Sequence, residues 1–449
     1  MNRTFTLLAC AGALLLAACT SESNLPTPTG KGAIRAINAI PGSPELGFLI
    51  EEVSLGGFTY KSSTAPEEYD DFSYNFSFQI LYPGDQDFTR LATETLKVEA
   101  DRDHIFLLTG DVNAPTVTVW NGDIRTFDAA DTVLEARFSH ASTLLGAVDV
   151  YFDPPGVAPG TNPPAATLSF GEIVDPADFE AGPYVLTVTA AGDPGIVHFE
   201  SDEASLLAQF AHVITIFDGD ENDTAPIHVR SMTSVGNPLV FTDANYPPQV
   251  RFIHAARTLE AVDIYDDDVL TSLVYAGLDL KGTTGYLDTL SETRTFYFTP
   301  ANSIATILFE QEISAPALGS YADIYLFGDT DAWAGVRFIP DRQRVSISFK
   351  VRLAHGALNH AEFDVYLTER DVPLTEDDLP TLVNVAYGLV SPRITLAERE
   401  VDLYITVRGE RTIIAGPYPI DATLGGSLEL LVVDTVDPAT AEIVDITAP

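Results

Sequence analysis

Thiols are almost absent from this chain. Of its 449 residues only Cys10 and Cys19 are cysteine, and both lie near the N-terminus. Beyond them there is no disulfide framework, no thiolate metal site and no cysteine nucleophile. Lysine is scarce, and 24 Lys and Arg stand against 65 Asp and Glu, a formal net charge of −41. A surface of that sign excludes nucleic acid as a partner, because phosphate contacts are made by Lys and Arg. It favours solubility and suits high salt, where the Debye length falls to about 3 Å at 1 M. The acids are scattered rather than blocked, and 46% of residues are hydrophobic, which marks a folded chain rather than an acidic disordered one. Catalytic signatures are missing too. There is no Gly-x-Ser-x-Gly elbow, no His-Glu-x-x-His, no phosphate loop and no Gly-x-Gly-x-x-Gly.

The N-terminus reads as a processing signal. Arg3 is followed by an apolar run, Phe5 to Ala18, too short for a membrane span of about 20 residues. It ends in Leu16-Ala17-Ala18-Cys19, which resembles a bacterial lipobox. That resemblance implies cleavage after residue 18 and lipidation of Cys19, palmitate included, with Thr20 in place of the aspartate that would favour the inner membrane. The expected address is the outer membrane, periplasmic or surface-exposed. Residues 19–32 are rich in Ser, Thr, Pro and Gly and read as a flexible tether. No later stretch is long and apolar enough for a transmembrane helix.

What the chain does have is a phrase spelled four times. Arg137-Phe138-Ser139-His140-Ala141 precedes Val148-Asp149-Val150-Tyr151, and Arg251-Phe252-Ile253-His254-Ala255 precedes Val262-Asp263-Ile264-Tyr265. Arg352-Leu353-Ala354-His355-Gly356 precedes Phe363-Asp364-Val365-Tyr366. In a worn copy, Arg35-Ala36-Ile37-Asn38-Ala39 precedes Leu46-Gly47-Phe48-Leu49. Arg and Asp are 12 residues apart in the three full copies, and the copies start 102, 114 and 101 residues apart. A period near one hundred is a domain used four times.

Within each copy the apolar residues alternate with a period of two. Leu134, Ala136, Phe138 and His140 face one way, Glu135, Arg137 and Ser139 the other, and Val148, Val150 and Phe152 continue the inward set. Pro and Gly clusters separate short strands, so the fold class is all-β, four tandem β-sandwiches. The divisions are a signal peptide (1–18), a tether (19–32), and sandwiches at 33–130 (divergent), 131–245, 246–344 and 345–449. Short connections predict that the four line up as a semi-rigid rod.

The phrase Arg-Phe-x-His-Ala followed by Val-Asp-Val-Tyr, with Phe170-Gly171 and Tyr184-Val185-Leu186-Thr187-Val188 later in the same repeat, resembles a bacterial family named domain of unknown function 4397. Tyr275-Ala276-Gly277 and Tyr387-Gly388 stand at the aromatic-Gly position of the later copies. The resemblance implies secreted or lipid-anchored proteins with tandem immunoglobulin-like domains, and brings no chemistry with it.

The repeated polar residues are the candidates for chemistry. His140, His254 and His355 lie on the apolar side of their strands, where a buried polar group must find a partner. A core role bonding buried backbone is expected over a base or metal ligand. Because His, Asp and Tyr are lost together in the worn copy while Arg35 stays, the set His140, Asp149, Tyr151, His254, Asp263, Tyr265, His355, Asp364 and Tyr366 is expected to form an internal network in each repeat. Arg and Asp of one phrase are a candidate ion pair across the first two strands. Asp218, Asp220 and Asp223 form an acidic turn with oxygen ligands for calcium, although Val229 stands where an EF-hand loop needs Glu. Trp120 or Trp333 is a candidate sugar platform.

These readings converge on a lipid-anchored, non-enzymatic array without cofactor. It would meet the membrane through its N-terminal lipid and a protein or glycan ligand through loops or strand edges. The alternatives are a calcium- or small-ligand-binding envelope protein using its acidic turns and, behind that, a hydrolase.

Overall fold

The computed structural model describes residues 27–220, 223–233, 238–330 and 332–447. The signal segment, Cys19 and most of the tether lie outside the described residues. Among the described residues no helix is long and apolar enough to cross a membrane, and the regular structure is entirely β-strand.

The fourth sandwich shows the plan. Its strands are Phe349–Gly356, Glu362–Glu369, Leu382–Ala386, Ile394–Leu396, Arg399–Val407, Ile413–Ala422, Ser427–Asp434 and Ala441–Asp445. One sheet has the order fourth, first, seventh, eighth, and the other third, second, fifth, sixth. The first and seventh strands run parallel, and the remaining neighbours are antiparallel. The third sandwich repeats this order from Gln249–His254 to Ala334–Phe338. In the first, the fourth position is split into Ser62–Ser63 and Glu67–Asp70. In the second, short strands Ala204–Leu206 and Leu239–Phe241 are added beside the fifth and eighth. An immunoglobulin constant domain joins its first, second, fifth and fourth strands in one sheet. Here the first strand leaves the second and pairs with the fourth and seventh.

Each sandwich closes on its own apolar core, for example Phe48, Phe76, Phe78 and Phe106 in the first and Phe138, Val150, Leu186 and Ile214 in the second. The sheet carrying the first and seventh strands is buried on both faces. In sandwiches 1 and 2 these sheets pack against each other, bringing Ile37, Ile105, Leu107 and Trp120 onto Val213, Phe217 and Met232. In sandwiches 3 and 4 Ile253, Tyr325 and Phe327 meet Ala354, Leu431 and Val433 in the same way. Each large side chain so buried contributes about 1.5–3 kcal/mol. The two pairs also touch, because Val345 and Ile347 of the link between sandwiches 3 and 4 enter the core of sandwich 1. Ser346 N–H donates to the Gly42 carbonyl there at 2.7 Å.

The expected rod is therefore overturned. The molecule is two face-to-face pairs folded against one another. The cause is the seventh strand, apolar on both sides, as in Ile105-Phe106-Leu107-Leu108 or Leu430-Leu431-Val432-Val433. A strand with that pattern must be covered twice.

Candidate functional site

The three histidines lie at the end of the first strand of their sandwiches, His355 one residue before it, and all are fully buried. Ser142 N–H donates to His140 Nδ1 at 3.3 Å, and His140 Nε2 lies 2.9 Å from the Gly146 carbonyl, placing the proton on Nε2. His254 Nε2 meets the Glu260 carbonyl at 3.2 Å, and Ala357 N–H donates to His355 Nδ1 at 3.2 Å. Each ring pins the loop joining the first two strands. Burial pushes all three pKa values down, His355 to about 4, so the rings are neutral at pH 7. Asn38 does the same work in the worn copy. Its Oδ1 accepts from Ile40 N–H at 3.1 Å and its Nδ2 donates to Ser43 Oγ at 2.9 Å.

The structure does not bring Asp and Tyr to these histidines. Among the described residues no hydrogen bond joins His to Asp or Tyr of its phrase in any copy. The period of two explains this. Val148 and Val150 face the core near His140, which turns Asp149 and Tyr151 to the far side of the other sheet. Asp149 accepts from Thr167 Oγ1 at 2.6 Å and Gly192 N–H at 2.7 Å. Asp263 accepts from Gly277 and Asn302 N–H, and Asp364 from Asn384 and Gly409 N–H, at 2.7–2.8 Å. Gly192, Gly277, Asn302, Asn384 and Gly409 have φ between 56° and 76°. The aspartate thus holds left-handed backbone in the turns beside its strand, a conformation that costs ordinary residues free energy. Tyr151, Tyr265 and Tyr366 are buried on that same side, Tyr366 beneath the Arg411 guanidinium at 4.5 Å.

Nor does Arg pair with Asp of its phrase. The four arginines lie between the paired sheets. Arg35 binds Asp103 at 2.6 Å, and Arg137 bonds Glu135 at 3.0 Å and stacks 3.7 Å from the Trp120 ring centroid. Arg251 is clamped by both oxygens of Asp323 at 2.9 and 2.6 Å, by Glu429 of the neighbouring sandwich at 2.8 Å and by the Ile446 carbonyl at 2.9 Å. Burial opposes its charge, but Asp323 and Glu429 outweigh that and hold its pKa above the ordinary value. Arg352 lies 4.7 Å from the Phe338 ring, and its buried Nε and Nη1 have no hydrogen-bond partner.

The acidic turn already holds a cation. Lys61 Nζ of sandwich 1, itself buried, lies 3.2 Å from Asp220 and 3.5 Å from Asp223. Its third contact is His228 Nδ1 at 3.2 Å, whose Nε2 meets Asp223, also at 3.2 Å. Burial, aided by Lys61, pushes His228 down to about 4. Tyr321 of sandwich 3 donates to Asp223 at 3.2 Å. Asp218 is fully engaged by Ser142, Thr143 and Leu144. These oxygens join three sandwiches instead of waiting for calcium, and among the described residues no group of three or more acids, histidines or cysteines is arranged to hold a metal. Trp120 is buried between sandwiches 1 and 2, not a surface platform. Trp333 packs on Phe309 and donates to Thr258 at 3.1 Å.

No curated protein matches the chain. Among solved structures, the Bacillus anthracis TIE protein aligns with 91% of this chain and 69% of its own at 9% identity, with a TM-score of 0.16, too low to bear on fold or function. The family model described as "Domain of unknown function (DUF4397)" matches residues 32–151 and 248–366. Each match runs from the opening strand of an odd-numbered sandwich to the Tyr closing the phrase of the next, and together they span more than half of the sequence. The chain therefore belongs to the DUF4397 family, carrying its domain in tandem.

Proposed function

We propose that this protein is a lipid-anchored, non-enzymatic scaffold of the bacterial outer membrane that presents loops and outer sheet edges to a protein or glycan. One observation carries the reading. In every full repeat His and Asp bond backbone of their own turns and Arg lies between the paired sheets, so the motif that defines the repeat builds the sandwich and its pairing. The exposed sixth-position strands, such as Asp193–Glu200 with Ile196 and Val197 at 50% and 40% exposure, offer backbone to which a partner strand can add. The acidic surface directs the choice away from nucleic acid. The anchor is Cys19.

Labelled palmitate and membrane fractionation test the anchor. Wild type should carry label in the outer-membrane fraction, and Cys19→Ser should lose both; unlabelled, soluble wild type would sink the reading. The non-enzymatic half is tested with His140→Asn, His254→Asn and His355→Asn combined. Lower melting temperature is expected, whereas loss of a turnover at unchanged melting temperature would point to an enzyme.

A further inference from the structure

Beside the interface of sandwiches 3 and 4 lies a cleft whose charge opposes that of the molecule. It holds about 40 Å³ and is lined by Arg342, Lys350, Arg352 and Arg393, with Asp341 and Glu429 as its acids. Ser427 and Thr447 add hydroxyl groups to the lining. Four of the 24 basic residues of a chain with net charge −41 converge here. The two acids are already shared. Glu429 binds Arg251 at 2.8 Å. Asp341 takes the Arg393 guanidinium and lies 3.7 Å from Lys350 Nζ. Two positive charges are left over.

Neutral groups also hold the cations in place. Arg342 lies 4.8 and 5.0 Å from the ring centroids of Tyr286 and Tyr321. Lys350 Nζ donates to the Gln343 carbonyl at 2.6 Å. Arg352 leaves Nε and Nη1 buried without a partner. An unpaired buried donor costs about 1–3 kcal/mol, and more when charged, so a guanidinium in that state is a built half of a missing interaction. Burial is the largest cause that pushes Lys350 down to about 8 and Arg393 to about 10.

We propose that this cleft binds a small doubly charged oxyanion of the phosphate class, free or as the terminal group of a monoester. Guanidinium forks match tetrahedral oxyanions in geometry. The cleft admits about three waters by volume, which one such anion replaces. At physiological salt the Debye length is about 8 Å, so the distant acids are screened and the cleft's own surplus of positive charge governs binding.

The test is calorimetric titration of the full chain in detergent with sodium phosphate, sulfate or glycerol 3-phosphate, at fixed ionic strength set with chloride. Saturable binding of phosphate or sulfate is expected, with at least tenfold loss in Arg352→Gln and in Arg393→Gln. Glycerol 3-phosphate binding as tightly as phosphate assigns the site to a monoester, and its failure to bind assigns it to the free ion. If wild type gives no saturable signal beyond chloride, the proposal is overturned. It is equally overturned if the folded variants bind as tightly as wild type. Should either variant fail to fold, Lys350→Gln replaces it with the same expected loss.

Discussion

The two interfaces between sandwiches use the same sheets and the same repeated arginine, yet they are wired differently. Between sandwiches 3 and 4, Arg251 meets two carboxylates, one from each side, while Arg352 lies on an aromatic ring. Between 1 and 2, Arg35 meets one carboxylate within its own sandwich, and Arg137 lies on Trp120. In each pair the arginine of the first sandwich binds an aspartate of its own sandwich, and that of the second stacks on an aromatic ring of its partner, with Arg137 bonding Glu135 as well. The molecule is therefore a pair used twice rather than a unit used four times. Acids explain the difference in strength. Asp323 and Glu429 stand directly opposite Arg251 and Arg352 in the parallel register, where sandwiches 1 and 2 have Ile105 and Val213.

The comparison is broken most directly by Arg251→Met. Asp323, with no exposure, and Glu429 then lose their counter-charge, and about 3–5 kcal/mol of stability should be lost in urea unfolding. Arg137→Met removes the stack on Trp120 and the partner of Glu135, but Asp103 keeps Arg35, so a smaller loss of about 1–3 kcal/mol is expected. Equal losses would refute the distinction between the pairs.

Next in size is His355→Asn, which places the residue of the worn copy in a full one. The folded pKa of His355, about 4, lies below the unfolded value near 6.5. The folded protein thus binds fewer protons, and this contribution is complete above pH 6.5. It is lost as pH falls toward 4, by about 3 kcal/mol. The melting temperature of wild type should approach that of the variant between pH 6.5 and 4; a constant gap would contradict a buried neutral ring. The smallest effect is expected for Asp364→Asn. The amide retains one of the two backbone bonds to Asn384 and Gly409, so about 1–2 kcal/mol should be lost. Sandwich 1, with Gly47 at this position, manages without the pin. A cost near zero would show that the left-handed turns hold themselves.

The sandwich class and the four copies were legible because alternation and repetition are local patterns. Strand order was not, since nothing in the sequence says that the first strand should leave the second and join the seventh. The pairing of sandwiches was visible but read one-sidedly. Ile105-Phe106-Leu107-Leu108 marks a strand, yet only its unbroken hydrophobicity says that both faces are covered. Arg137 and Glu135 looked solvent-facing by alternation and are buried all the same. The joint loss of His, Asp and Tyr suggested one network, but the side-chain period already separated Asp149 from His140 by a sheet. Lys61 and the basic cleft carried no sequence signal, because Lys61 finds its partners in the next sandwich and the cleft gathers residues spread from 341 to 447.

Val345 and Ile347 in the core of sandwich 1 have a mechanical consequence. The opening strand, Lys31–Asn38, is held on one side by the parallel strand Arg102–Asp111 and on the other by Ser62–Ser63 and Glu67–Asp70. Tension entering at the N-terminus runs along that strand and loads its hydrogen bonds in shear, many at once. The same pull is borne by residues 345 and 347, so sandwich 1 cannot unravel without disturbing the link between 3 and 4. A string of independent beads would yield one bead at a time. Here a load on sandwich 1 also reaches the link between sandwiches 3 and 4 through Val345 and Ile347.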